Sequence, residues 1–200
     1  MSNISETELH EIVQRIVQRT MGDAGHYATS ADQKRLLQSL SSSPVGDTPA
    51  KNTTNVVALG ADHGGYSLKE DLKSFLQKQG YQVDDCGTHS QESVDYPDFA
   101  YAVAVKVSQG SARRGILIDG AGIGSCMAAN KVPGVRAAMC YDIATTVNSR
   151  EHNDANVLTL GAGMIETALA RQIVLTWLNT LFGGGRHARR VDKIMMIERK

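Results

Sequence analysis

From residue 56 onward the chain alternates short apolar runs with stretches whose apolar positions recur every three or four residues. Residues 56–59 read VVAL, a continuous run with β-branched members, as expected of a strand buried on both faces. Leu68, Leu72, Phe75 and Leu76 then line one side of a helix. A more polar strand begins at Tyr81-Gln82-Val83, and a helix covers 97–108 through Tyr101 and Val105. Residues 116–118 give the third strand and 135–140 the fourth, followed by a helix over 142–151. The fifth strand is 157–160, and a long helix over 166–181 carries Leu169, Ile173, Leu175 and Trp177. After Gly183-Gly184-Gly185, a basic segment, Arg186-His187-Ala188-Arg189-Arg190, runs into a final helix through Ile194 and Ile197. Five such strand–helix alternations predict an α/β fold with a parallel sheet and helices on both faces.

The first 55 residues follow another pattern. Over 1–22, Leu9, Ile12, Val13, Ile16 and Val17 form one apolar stripe of an amphipathic helix. Ser5 and Glu8 fit a capping box, Ile4 and Leu9 a hydrophobic staple, and Gly22 a stop. Residues 23–55 carry Ser41-Ser42-Ser43-Pro44, Gly46, Pro49 and Asn52-Thr53-Thr54-Asn55, which is linker chemistry, with a short helix expected within 30–40. The organisation expected is therefore a docking helix over 1–22, a flexible linker over 23–55 and a domain over 56–200.

Lys plus Arg equals Asp plus Glu, at 21 each, so a broad basic field for nucleic acid is excluded. No run approaches the roughly 18 apolar residues of a membrane span. Three cysteines, Cys86, Cys126 and Cys140, have no metal or redox spacing, and no apolar signal region opens the chain. Reduced thiols in a cytoplasmic setting are therefore the expectation.

Candidate chemistry gathers after the strands. Asp62 and His63 follow the first, ahead of Gly64-Gly65. Asp119 follows the third, and Gly120, Ala121, Gly122, Ile123 and Gly124 come next, ahead of a helix start at Ser125. Tyr141 and Asp142 follow the fourth. Ligands of open α/β sheets gather at strand C-termini, and glycines before a helix start let amides approach an anion. Each residue also has a plainer reading: Asp62 as an N-cap, His63 as a hydrogen-bonded surface residue, His152 as a helix C-terminal cation, the Arg186 cluster as a solvated face. Together they supply what is needed to bind a phosphorylated small molecule and move a proton.

Residues 56–200 resemble ribose-5-phosphate isomerase B, in the family that includes the galactose-6-phosphate isomerase subunits. The resemblance rests on GADHGG at 60–65, SVDYPD at 93–98, the stretch 115–131, REHNDANV at 150–157 and GGRHARRV at 184–191. It implies a Rossmann-like three-layer α/β/α sandwich and aldose–ketose isomerisation with no metal and no cofactor. It further implies a homodimer or tetramer with shared active sites. On that resemblance, Asp119, His152 and Asp62 are catalytic. Asp119 occupies the family's usual cysteine position as the base, with burial raising its pKa, and Cys126 is the alternative. Asp62 and His63 line the sugar and phosphate end, and Tyr96 flanks the sugar. His152 opens the ring beside Asn153. Arg186, His187 and Arg190 hold phosphate from the partner subunit, and the amides of Gly120, Ala121, Gly122 and Gly124 hold the enediolate oxygen.

The substrate implied is ribose 5-phosphate. The alternatives are a hexose 6-phosphate of allose or galactose type, or a sugar-phosphate-binding subunit that needs a partner. Ala121 and Gly163 depart from the family's usual hydroxyl residue and arginine. The helix over 1–22 on its linker resembles peptides that direct cargo to the shell of bacterial microcompartments.

Overall fold

The computed structural model describes residues 55–198. The helix expected over 1–22 and all but the last residue of the linker lie outside them. Strands β1 (Val56–Ala61), β2 (Gln82–Asp85), β3 (Arg114–Asp119), β4 (Ala137–Met139) and β5 (Val157–Gly161) form one parallel sheet in the order β2-β1-β3-β5-β4. The helices are α1 (Tyr66–Lys78), α2 (Tyr96–Ser108), α3 (Ile123–Ala129), α4 (Ile143–Glu151), α5 (Thr167–Asn179) and α6 (Arg186–Ile197). None of the described helices is long and apolar enough to cross a membrane.

The period-two geometry of the strands sorts side chains between two cores. Val57, Leu59, Ile116, Ile118, Leu158 and Leu160 meet Leu68, Leu72, Leu76, Ile173 and Trp177 of α1 and α5 on one face. Ala58, Leu117 and Val157 meet Ala100, Val103, Ala104 and Val107 of α2 on the other. That second face is kept shallow by glycine. A Cβ on Gly60 or Gly115 would lie 2.8 or 2.7 Å from a methyl of Val103, so α2 packs almost on the strand backbone.

The differences from the expected elements have local causes. β4 is shorter than 135–140, and on its open side the Asn130 side chain accepts from the Ala137 N–H at 2.8 Å and donates to the Ala137 carbonyl at 2.9 Å. Asp142 is the N-cap of α4 rather than part of it, accepting the Thr145 N–H at 2.7 Å. The basic segment 186–190 forms the first turns of α6 itself.

One fully buried cation, Lys69 of α1, is held by both carboxylate oxygens of Asp85 at 2.8 and 2.9 Å, and Lys73 adds a contact at 2.6 Å. Burial alone would raise the Asp85 pKa, but the two ammonium groups and the Gly87 N–H bring it down to about 2. A depressed carboxylate pKa adds stability above the unfolded value of about 3.9 and loses it below. The thermal midpoint should therefore fall as pH drops from about 4 toward 2, and Asp85→Asn should flatten that decline. An unchanged decline in the variant would remove Asp85 as its source.

Candidate active site

The chain reverses its winding direction between β1 and β3, where adjacent strands send their connections to opposite sides. Such a point leaves a crevice at the carboxyl ends of the strands. Asp62 and Asp119 stand there, one residue past β1 and at the last residue of β3. They are 8% and 5% exposed.

Asp62 receives the Gly65 N–H at 2.9 Å, one residue before α1 begins, so its carboxylate braces the turn into the helix. His63 is exposed, with Nδ1 between the Val94 carbonyl (3.1 Å) and the Val94 N–H (3.3 Å). This ties the first loop to residues 88–95. Tyr96, at the start of α2, rests its ring on Gly124, where a Cβ would come 2.5 Å from Cζ of the phenol. Tyr96 therefore borders the same edge as Asp62, His63 and the glycine loop.

Asp119 turns inward. Its Oδ1 accepts the N–H of Ala121 at 2.8 Å and that of Gly122 at short range, and its Oδ2 accepts the Ser125 N–H at 3.0 Å. The Ser125 side chain adds to their effect on the carboxyl group. Desolvation pushes the carboxyl pKa up, but these donors outweigh it and hold the group below its ordinary value. This corrects the expectation that burial raises it. The amides of Ala121 and Gly122, expected to hold the substrate oxygen, are taken by Asp119. Those of Gly120, Ile123 and Gly124 have no acceptor among the described residues.

Cys126 offers no second base at this loop. Its Sγ faces the Ala137 carbonyl at 3.5 Å, on the β4 side of α3, and burial pushes the thiol up.

The remaining candidates are elsewhere. His152 is the C-cap of α4, which descends from the carboxyl edge to the start of β5. Asn153 is at the same place, its carbonyl 3.2 Å from Nε of Arg136, which precedes β4. The imidazole of His187 stacks on His152, with centroids 4.1 Å apart and planes 5° from parallel. Gly183 donates to the Glu151 carbonyl at 2.9 Å, so α6 starts beside the end of α4. Loss of solvent, then the nearby His152, Arg186 and Arg190, lowers the His187 pKa and favours the neutral ring. Arg186, Arg189 and Arg190 have no carboxylate partner among the described residues. Unpaired cations in the first turn of a helix oppose its dipole and suit an anion.

The candidates thus form two clusters at opposite edges of one sheet. Asp62, His63, Tyr96 and residues 119–124 occupy the carboxyl edge, while His152, Asn153, Arg186, His187 and Arg190 occupy the amino edge. A five-residue strand, β5, lies between, a span of about 16 Å. Sequence reasoning missed Ser125, which is 2% exposed. Its signal was a helix start within reach of a preceding aspartate.

Comparison with known proteins gives the following. The family described as Ribose/Galactose Isomerase matches residues 57–194. Ribose-5-phosphate isomerase B of Escherichia coli is 43% identical over 144 residues, covering 72% of this chain and 97% of that protein. A D-erythrulose-4-phosphate isomerase of Pectobacterium atrosepticum is 42% identical over 139 residues, covering 69% and 91%. The solved structure of Clostridium thermocellum ribose-5-phosphate isomerase B superposes with a TM-score of 0.71 at 54% identity, covering 72% and 97%.

Proposed function

The chain belongs to the Ribose/Galactose Isomerase family and is a sugar-phosphate isomerase; from that premise we propose that it interconverts ribose 5-phosphate and ribulose 5-phosphate through an enediolate, in a site completed by a second copy of the chain. The observation that carries the shared site is the separation of the two half-sites. One chain holds the carboxylates and the amide loop on one edge of its sheet, and the ring-opening and phosphate groups on the other. An exchange of edges between two copies brings one of each together, the self-complementary arrangement of a two-fold dimer.

In this reading Arg186 and Arg190 grip the phosphate through charge-assisted hydrogen bonds, with His187 beside them. His152, its Nδ1 fixed by Asn148 at 2.9 Å, exchanges the proton that opens the sugar ring, with Asn153 alongside. Tyr96 and His63 flank the open chain. Free amides at Gly120 and Gly124 stabilise the enediolate oxygen.

A pentose substrate is supported by the names of the Escherichia coli and Clostridium thermocellum relatives. One observation favours a second reading, a hexose 6-phosphate. Gly120 and Gly163 are exposed, and a Cβ on Gly120 would meet nothing within 4 Å, so the loop mouth has room for a longer sugar.

We further propose that residues 1–22 dock on a microcompartment shell, as their resemblance to cargo peptides implies, with 23–55 as tether. One experiment tests both proposals: assay the full chain and a chain lacking residues 1–50 on five- and six-carbon aldose phosphates, then test each for co-sedimentation with shells. Both chains should turn over ribose 5-phosphate fastest, and only the full chain should sediment. Faster turnover of a hexose phosphate would select the second reading. Inactivity of the pure chain, relieved by a second subunit, would make it a binding subunit.

A further inference from the structure

Two carboxylates stand on neighbouring strands at the carboxyl edge, and their hydrogen bonding differs. A carboxylate has about four acceptor positions. In Asp119 three are filled by the N–H groups of Ala121, Gly122 and Ser125, two on Oδ1 and one on Oδ2. Both oxygens are thus tied to backbone amides of their own loop, facing away from the crevice mouth. Swinging the group outward would strip three amides of their acceptor.

Asp62 is the contrary case. It is 8% exposed, yet only Oδ1 is engaged, by Gly65. Its Oδ2 has no partner in the described chain and is not sealed from solvent. A methyl group built on Gly64 would touch Asp62 Oδ1, at 3.4 Å, and the Gly120 amide nitrogen, at 3.6 Å. The Asp62 carboxylate and the free Gly120 N–H therefore border the same small space.

We propose that Asp62 carries the proton between the two sugar carbons, and that Asp119 is a positioning residue that holds the loop so that the Gly120 amide meets the substrate oxygen. This rests on the isomerase reading above. In the open-chain aldose, Asp62 takes the hydrogen of carbon 2 as a proton. The C–H electron pair forms the C1=C2 bond and the carbonyl π pair moves onto O1, held by the Gly120 N–H. Asp62 then returns the proton to carbon 1, the O2 hydroxyl proton passes to O1, and the carbonyl forms at carbon 2. Composition is unchanged and no external oxidant or reductant takes part.

The test follows deuterium entry at carbon 1 of ribulose 5-phosphate in D2O, together with aldose formation, by NMR. Asp62→Asn should lower both by about 10²–10⁴-fold, the usual worth of a positioned base, with a native circular dichroism spectrum. Asp119→Asn should lower turnover yet keep deuterium entry in proportion to it, and keep the acidic limb of the pH–rate profile. Asp62→Ala should regain activity with added formate, whereas Asp119→Ala should not; this arm still decides the matter if an asparagine variant misfolds. Native exchange in Asp62→Asn, or formate rescue confined to Asp119→Ala, overturns the assignment. A native protein that neither exchanges nor isomerises overturns the isomerase reading itself, and this proposal with it.

Discussion

Mixing chains that carry Asp62→Asn with chains that carry Arg190→Ala should restore about a quarter of native activity, although each alone is nearly inactive at low substrate. The expectation follows from the two half-sites. Asp62 stands at the carboxyl edge of the sheet and Arg190 on α6 at the amino edge, beside the stacked His152 and His187. If two copies exchange edges, each site takes Asp62 from one chain and Arg190 from the other. A mixed dimer then holds one doubly damaged site and one native site. Free exchange makes about half of the dimers mixed, so about a quarter of all sites are native. Arg190→Ala by itself removes a charge-assisted contact worth roughly 1.5–3 kcal/mol, about 10–160-fold in KM. Activity is therefore read well below the native KM. Two differently tagged chains that co-purify, proving exchange, but recover no activity would show that each site is built within a single chain.

The fold was legible because its signals are strong and local. VVAL at 56–59, ILI at 116–118 and VLTL at 157–160 each became a buried central strand. The edges were less legible. β4, at the sheet edge, covers only Ala137–Met139, its first residue is bonded to the Asn130 side chain, and nothing in the local pattern marks that pairing. The site was legible as a list of residues but not as an arrangement. Asp62 and Asp119 look alike in sequence, each an aspartate after an apolar run and within two residues of a glycine that follows it. Only the hydrogen bonds separate them, since Asp119 lies within reach of a helix start and folds back onto it, whereas Gly65 engages one oxygen of Asp62 and leaves the other open. His152 reads from sequence as a helix C-terminal residue, and the direction of α4 puts it at the other end of β5 from the carboxyl-edge groups.

Gly65→Ala should lower activity by about 10²-fold and stability by about 1–3 kcal/mol, whereas Gly64→Ala, one residue earlier, should leave stability nearly intact. Both glycines sit in the loop after β1, so composition alone does not distinguish them. Gly65 has φ −90°, a value open to any residue, so backbone strain is not the reason. Space is the reason. A Cβ at Gly65 would lie 2.3 Å from the Ile118 carbonyl oxygen and 2.6 Å from its carbon. Those atoms belong to the central strand β3 and cannot rotate away, so the start of α1 must lift from the sheet, an overpacking cost of that order. Lifting also withdraws the Gly65 N–H from Asp62, whose carboxylate then loses the one bond that orients it. A displacement of about 1 Å at a catalytic group costs on the order of 10²-fold in rate, so activity should fall even below the temperature at which the variant melts. At Gly64 the nearest atom to a Cβ is Asp62 Oδ1 at 3.4 Å, an ordinary contact. Thermal melts and initial rates on the two variants decide the matter. Equal melting temperatures for both would mean that α1 does not rest on Ile118 as closely as these distances require.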